Sequence, residues 1–324
     1  MEGPGLVKWR RRRRVASPYL FLAPSALFVA AFIVYPLVTG IRLSLENASS
    51  LSGGPFVGAE NFISVAGQGL FQRALLNNME FFGGSVLLLT PVALVLALCL
   101  YSKWSVLRGG VRLILLLPMS ASTVVVAIIF GQLFSGRFGL YNLWLRELGV
   151  GGVGWLTDPN VVMISLIILA MWGYMGLNVA YVLAGLRGIA VDTIEASRVD
   201  GASYLRTLFS VVLPQLRGVM VFIAIQAIVG SLNLFARPDV LTSGGPENRS
   251  LTVVMYVYQQ ALQNFSLGTA AAAGFLVMAV IVGMSGIVLW LGTLERHWLR
   301  LSGARRIGVR RFRVWEGVRE WSGS

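Results

Sequence analysis

Residues 159–186 read PNVVMISLIILAMWGYMGLNVAYVLAGL, a run without Asp, Glu, Lys or Arg, bounded by Asp158 and Arg187. At 1.5 Å of rise per residue such a helix reaches about 40 Å, more than the roughly 30 Å hydrocarbon core of a bilayer. Five other charge-free stretches are long enough to cross: 15–41, 81–102, 113–136, 218–236 and 250–294. The next longest, 47–59 and 61–72, are too short. The last window exceeds one span. Its first part carries Tyr256, Tyr258, Gln259, Gln260, Gln263 and Asn264. That part suits an interfacial or cavity-lining segment, with the span starting near Leu267. The expected fold is an all-α membrane protein with six transmembrane helices.

Composition agrees. The chain has 324 residues, 56% hydrophobic and 13% charged, with mean hydropathy +0.73. A soluble domain carries about 25% charged residues, and charges are costly at bilayer depth. The +13 net charge raises nucleic acid as a partner. The basic residues, however, stand in blocks between apolar runs rather than over a soluble surface, which argues against nucleic acid and for membrane lipid. If the N-terminus is cytoplasmic, 21 of the 27 Lys and Arg fall on the cytoplasmic side. The positive-inside rule therefore puts both termini in the cytoplasm. The start, Lys8-Trp9-Arg10 to Arg14 before an apolar run, resembles a signal peptide. The run is too long for one and contains Pro18, Pro24 and Pro36, so an uncleaved first span is expected. The chain then divides into a basic cytoplasmic N-terminus (1–14), a membrane domain (15–294) with an inner loop at 187–214, and a basic cytoplasmic tail (295–324). Cys99 and His297 are the only residues of their types. An internal disulfide is impossible and no His/Cys metal site is expected.

The loop between spans four and five reads Gly185-Leu186-Arg187-Gly188-Ile189-Ala190-Val191-Asp192-Thr193-Ile194-Glu195-Ala196-Ser197-Arg198-Val199-Asp200-Gly201-Ala202-Ser203-Tyr204-Leu205-Arg206-Thr207-Leu208-Phe209-Ser210-Val211-Val212-Leu213-Pro214. It predicts a short helix capped by Asp192 or Thr193, with Glu195 in its first turn. Asp200-Gly201 predicts a break, and Ala202 or Ser203 the start of a second helix. Leu205, Leu208, Phe209 and Val212 recur at helical spacing as one apolar face. Pro214 sits where a new helix begins. The alternative is an ordinary amphipathic inner loop.

These residues resemble the signature loop of permease subunits in binding-protein-dependent ABC importers. That pattern is Glu-Ala-Ala, three residues, Gly, nine residues, Ile-x-Leu-Pro. Here it stands as Glu195-Ala196-Ser197, Gly201, and Val211 before Leu213-Pro214, with the spacing kept. Asp200-Gly201-Ala202 is similar to the fuller form of sugar permeases. Phe21-Leu22-Ala23-Pro24 with Tyr35-Pro36 and Ser44, Phe56 to Phe62, and Leu241-Thr242-Ser243-Gly244-Gly245-Pro246 resemble the maltose and glycerol-3-phosphate branch. There are two departures: the usual Ile-Pro before the loop is Ile189-Ala190, and the usual Phe-Asp before the outer loop is Phe235-Ala236, followed by Arg237. The resemblance implies the type I ABC importer permease fold in a bacterial or archaeal inner membrane. It implies a coupling helix docked on an ATPase subunit dimer, a second permease subunit and an extracytoplasmic substrate-binding protein.

The chain itself has no P-loop, since Lys8 and Lys103 are each followed by Trp and neither follows Gly. ATP-Mg is therefore expected on the partner ATPase, with no cofactor on this chain and no catalytic residue. Sugar recognition needs hydrogen-bonding side chains and aromatic faces. Within the spans the candidates are Tyr174 and Asn178, four apart, and Gln226, Ser231 and Asn233. The plainer reading is hydrogen bonding between helices. Trp172 reads as packing, and the pairs Gly83/Gly84 and Gly173/Gly176 as sites of close helix approach. An importer of another small solute is the alternative. A secondary transporter would need charges inside the spans, and the six windows contain none.

Overall fold

A computed structural model describes residues 21–101 and 108–306. The segment 1–14 and the tail beyond residue 306 lie outside them. Among the described residues there is no strand, only an isolated bridge between Glu46 and Phe56. The helices are α1 (Phe21–Ser44), α2 (Glu60–Gly67), α3 (Gly69–Tyr101), α4 (Arg108–Leu116), α5 (Thr123–Leu133), α6 (Leu140–Glu147), α7 (Val162–Arg187), α8 (Val191–Val199), α9 (Tyr204–Leu232), α10 (Ala236–Thr242), α11 (Val253–Tyr258) and α12 (Leu267–Arg306).

Five of these, α1, α3, α7, α9 and α12 over Leu267–Thr293, are long and apolar enough to cross a membrane. The sixth expected span, 113–136, is not one helix. α4 leads into a 3-10 turn at Leu117–Ser120, and α5 leaves it bent by 101°. The cause is local. Pro118 has no amide hydrogen to continue the α ladder, and Ala121 and Ser122 are extended, with ψ of 144° and 128°. Each half covers only about half the apolar core, so the count is five spans and one broken one.

Three other boundaries differ from the charge-free windows. α3 starts at Gly69 and α9 at Tyr204, each well before its window. A helix continues as long as its ladder is satisfied, and charge limits only the part that lies in lipid. α9 ends at Leu232, because Asn233 caps it and α10 turns away. α12 begins at Leu267, as expected.

The bundle has two ends. At one, Val65, Phe71 and Ala74 pack with Ile228, Leu232, Leu251, Tyr256 and Ala272. At the other, Ala93, Ala97 and Leu100 pack with Leu186, Ile189, Val212 and Leu216. Loop 187–214 is thus at the opposite end from loops 45–68 and 233–266, the same partition that the basic residues make. Gly176 provides the closest approach of α7 to the broken span: a Cβ there would lie 1.9 Å from the Leu115 carbonyl oxygen. Gly84 faces the tip of Ile167, whereas Gly83 faces open space.

At the first end, the Phe56 to Phe62 stretch is a fastener. Asn61 donates from Nδ2 to the carbonyls of Ser44 and Glu46, both at 2.9 Å, and Phe62 packs into the apolar cluster. The Glu46 carboxyl is held below the usual carboxylate range by the hydrogen bond from Arg42, with a second from the Gly54 amide.

Candidate functional site: the loop knob and the polar span faces

The knob begins with α8. Its cap is Ala190, with no side-chain hydrogen bond, rather than Asp192 or Thr193. Asp192 instead lies in the first turn, and Glu195 one position beyond it. Ala190 is extended (ψ 127°), so the helix starts at the first residue after the turn that follows Arg187.

α8 ends in a Schellman motif. The Gly201 amide donates to Arg198 O and the Ala202 amide to Ser197 O, both at 3.0 Å. Gly201 takes φ of +77°, the left-handed region that glycine enters without penalty. Ser203 then caps α9, accepting from the Arg206 amide. Ser197, which stands where the family pattern has Ala, is buried. Its hydroxyl donates to Ile194 O at 2.8 Å and meets the Thr207 hydroxyl at 3.2 Å. That contact ties the two helices of the knob together.

The expected single apolar face on Leu205, Leu208, Phe209 and Val212 is split. Leu208 and Val212 pack inward on α3 and α7, while Leu205 and Phe209 are exposed, beside exposed Val199 and Tyr204. At 3.6 residues per turn Leu208 and Val212 fall to one side of the stripe and Leu205 and Phe209 to the other, and α9 turns only the first side inward. At Pro214, after a π segment at Leu208–Val212, regular α-helix resumes, as expected, with the proline in its first turn. Its missing donor is tolerated there, inside the continuous α9. Glu195, Arg198 and Tyr204 line one side of a 640 Å³ groove closed on the other by Leu98 and Tyr101. The knob thus presents an apolar, rigidly tied surface next to a charged lip.

The outer-loop residues form a tight turn after α10. Gly244 has φ of +89°. The Gly245 amide donates to Thr242 O at 2.9 Å and the Arg249 amide to Pro246 O at 2.8 Å. The Ser250 hydroxyl donates to Gly245 O and meets the Thr242 hydroxyl at 2.6 Å. This turn is held by two residues that the charge-free windows had left outside the spans, Asn77 and Asn78 of α3. Both are buried. Asn77 Nδ2 donates to the carbonyls of Asn248 (2.7 Å) and Leu251 (2.8 Å). Asn78 Nδ2 donates to Ser231 O, and its Oδ1 accepts from the Val253 amide at 2.9 Å. An Asn pair inside a helix directly before an apolar window was the available signal.

The pathway candidates fall into two groups. Asn178 Nδ2 bonds to Tyr174 O and Asn233 Nδ2 to Val229 O, each at 2.9 Å within its own helix. Gln226 on α9 and Asn233 at its C-cap are exposed. Ser231 is buried, with its hydroxyl on Ile228 O. Among the described residues none of these side chains hydrogen-bonds across two helices, while Trp172 packs on Phe130 at 5.4 Å between ring centroids. Tyr174 is paired differently: the Arg237 guanidinium stands 4.5 Å above its ring. Arg237 was expected in the outer loop. It reaches Gly173 and Tyr174, about 17 Å along α7, because α9 ends early and α10 folds back. A charge therefore does sit against the middle of a span.

Residues 89–296 match the family described as binding-protein-dependent transport system inner membrane component. The chain is 34% identical over 279 residues to the arabinooligosaccharides transport system permease protein AraP of Bacillus subtilis, covering 85% of this chain and 88% of that one. It is 30% identical over 282 residues to the lactose transport system permease protein LacF of Rhizobium radiobacter, covering 86% and 94%. Its fold matches a chain of a bacterial ABC transporter involved in the import of the acidic polysaccharide alginate, with TM-score 0.77, 23% identity, and 88% and 98% of the two chains covered. Because the family match takes in the knob and the spans on both sides of it, and the relatives align along nearly their whole length, this chain belongs to the inner membrane components of binding-protein-dependent transport systems.

Proposed function

We propose that this chain is the permease subunit of an ATP-driven importer for a sugar or sugar derivative, and that it forms half of the translocation pathway with a second permease. The carrying observation is the knob. Its two helices are locked by the Schellman turn at Gly201 and the Ser197–Thr207 contact, while Val199, Tyr204, Leu205 and Phe209 face outward. A rigid apolar projection beside Glu195 and Arg198 suits docking on an ATPase subunit, which holds ATP-Mg and does the hydrolysis. The excess of basic residues supports a cytoplasmic knob and cytoplasmic termini. The names of AraP and LacF support a saccharide cargo. The alginate importer complexed with an alginate pentasaccharide-bound periplasmic protein supports delivery by a binding protein at the opposite end. Import then follows from alternating access, with ATPase closure moving the knob and the spans attached to it.

Co-purification tests this reading. Gly201→Val forces a β-branched residue into the left-handed region, at about 1–2 kcal/mol or more. There is no steric crowding at this position, so the effect reports the turn alone. Recovery of the ATPase subunit with tagged protein should fall roughly 5- to 30-fold. Gly201→Asn, which tolerates positive φ, should fall much less. Glu195→Ala should weaken recovery while leaving the fold intact. Normal recovery and import in both Gly201→Val and Glu195→Ala would remove the coupling assignment.

A further inference from the structure

Arg237 is 7% exposed and sits against the middle of α7. A cation at that depth is expensive and normally has a partner. Here the partner is only the face of Tyr174, at 4.5 Å. Its Nε is buried without an acceptor. Among the described residues no carboxylate and no carbonyl receives a hydrogen bond or ion pair from this guanidinium. The site is otherwise built to hold it. Gly173 leaves the space that Nη2 fills, since a Cβ there would lie 3.1 Å from that nitrogen. Tyr174 is itself 41% exposed, with Asn178 one turn along the same face. With Nε enclosed, the two Nη groups are the donors that a planar oxyanion can meet end-on, with two parallel hydrogen bonds.

We propose that Arg237, held over Tyr174 beside Gly173, is an anion-recognition point in the translocation pathway, and that the cargo is a saccharide carrying an oxyanion such as the carboxylate of a uronic acid residue. This rests on the sugar-permease reading above and narrows it. The missing counter-charge arrives with the cargo, so the empty site bears an uncompensated cation while the loaded one does not. Neutral sugars would bind without relieving it.

The test uses the complete transporter, with its own ATPase, second permease and binding protein, in proteoliposomes. Uptake is measured for oligosaccharides of galacturonate, glucuronate and mannuronate, each beside its neutral counterpart of equal length and linkage. Wild type should import a uronate member. Arg237→Gln should lower that uptake by about tenfold or more, Arg237→Lys should retain part of it, and Gly173→Ala, which crowds Nη2, should raise the KM for the same sugar. The thermal midpoint of Arg237→Gln should be unchanged or higher, because a buried charge without a counter-ion is removed. A structural role would lower it instead. Three results overturn the proposal. One is import confined to neutral sugars and unaffected by Arg237→Gln, which leaves the sugar-permease reading standing. Another is an equal loss for neutral and acidic sugars, or dissociation of the complex, which would assign Arg237 to assembly. The third is no saccharide import by a complex that assembles and hydrolyses ATP, which removes the sugar reading and this one together.

Discussion

Gly176→Ala should unfold or misassemble the bundle. The added Cβ would lie 1.9 Å from the carbonyl oxygen of Leu115, 2.5 Å from its carbonyl carbon and 3.0 Å from the Leu116 nitrogen. These are backbone atoms at the end of α4, just before the Leu117–Ser120 turn. They cannot rotate away as a side-chain tip can, so α4 or α7 must shift as a whole. Overpacking of this kind costs typically about 1–3 kcal/mol, and the upper end or more is expected here. Two other glycines calibrate the effect. At Gly185 a Cβ would meet Val219 Cγ2 at 2.7 Å and Leu216 Cδ2 at 2.8 Å, both side-chain atoms able to move, so Gly185→Ala should be milder. At Gly83 nothing lies within 4 Å, and alanine is the better helix former by about 1 kcal/mol. Gly83→Ala should therefore be neutral or stabilising. Thermal unfolding of the three variants in detergent gives the order directly. Equal midpoints at 176 and 83 would mean that α7 does not approach the broken span as described.

The second large effect is expected from Asn78→Leu. Leucine keeps most of the volume but removes the carboxamide, leaving the Val253 amide buried without a partner and taking one donor from Ser231 O, which keeps the Leu234 amide at 3.3 Å. The orphaned amide costs about 1–3 kcal/mol and the lost bond to Ser231 O about 0.5–1.5 kcal/mol, so roughly 1.5–4.5 kcal/mol in all. The damage should be local first, because α11 and the turn at Gly244-Gly245-Pro246 hang on this residue and on Asn77. Hydrogen exchange at Val253 and proteolysis within 244–252 should both accelerate strongly. The neighbouring Thr252, whose hydroxyl donates to Leu234 O at 2.6 Å, will keep part of the segment in place. Unchanged exchange at Val253 would show that the turn is held by something else. Asn78→Asp is the informative companion: it retains the acceptor for Val253 but loses the donor to Ser231, and it should fall between wild type and leucine.

Much of the knob could be read directly from residue order. Asp200-Gly201 stops a helix because only glycine takes the left-handed backbone at no cost, and Ser203 starts the next one by capping it. Such effects act within one turn of chain, so spacing alone locates them. The split of its apolar face could not be read in this way. Which side of the stripe is covered depends on how α9 is turned against α3 and α7, and that orientation is not written in residue spacing.

The span count behaved similarly. Charge-free length bounds the part of a helix that can lie in lipid, so the windows located the apolar helices, and the polar run Tyr256 to Asn264 located the start of α12 at Leu267. It carries no information on direction, and the third window hid a bend of 101° behind unbroken apolar residues. Only Pro118 hinted at it.

Loop 187–214 shows what the sequence by itself determined: a short helix, a glycine stop, a second helix and a place between two apolar spans, all set by local backbone preference and by the exclusion of charge from lipid. The tertiary structure decided where the remaining polar groups do their work. Asn77 and Asn78 became the anchor of a loop some 170 residues away. Arg237, outside every apolar window, came to rest on Tyr174 at the middle of α7. Hydropathy is summed along the chain, whereas depth and partnership depend on where the chain turns back, and that is settled only when the helices pack.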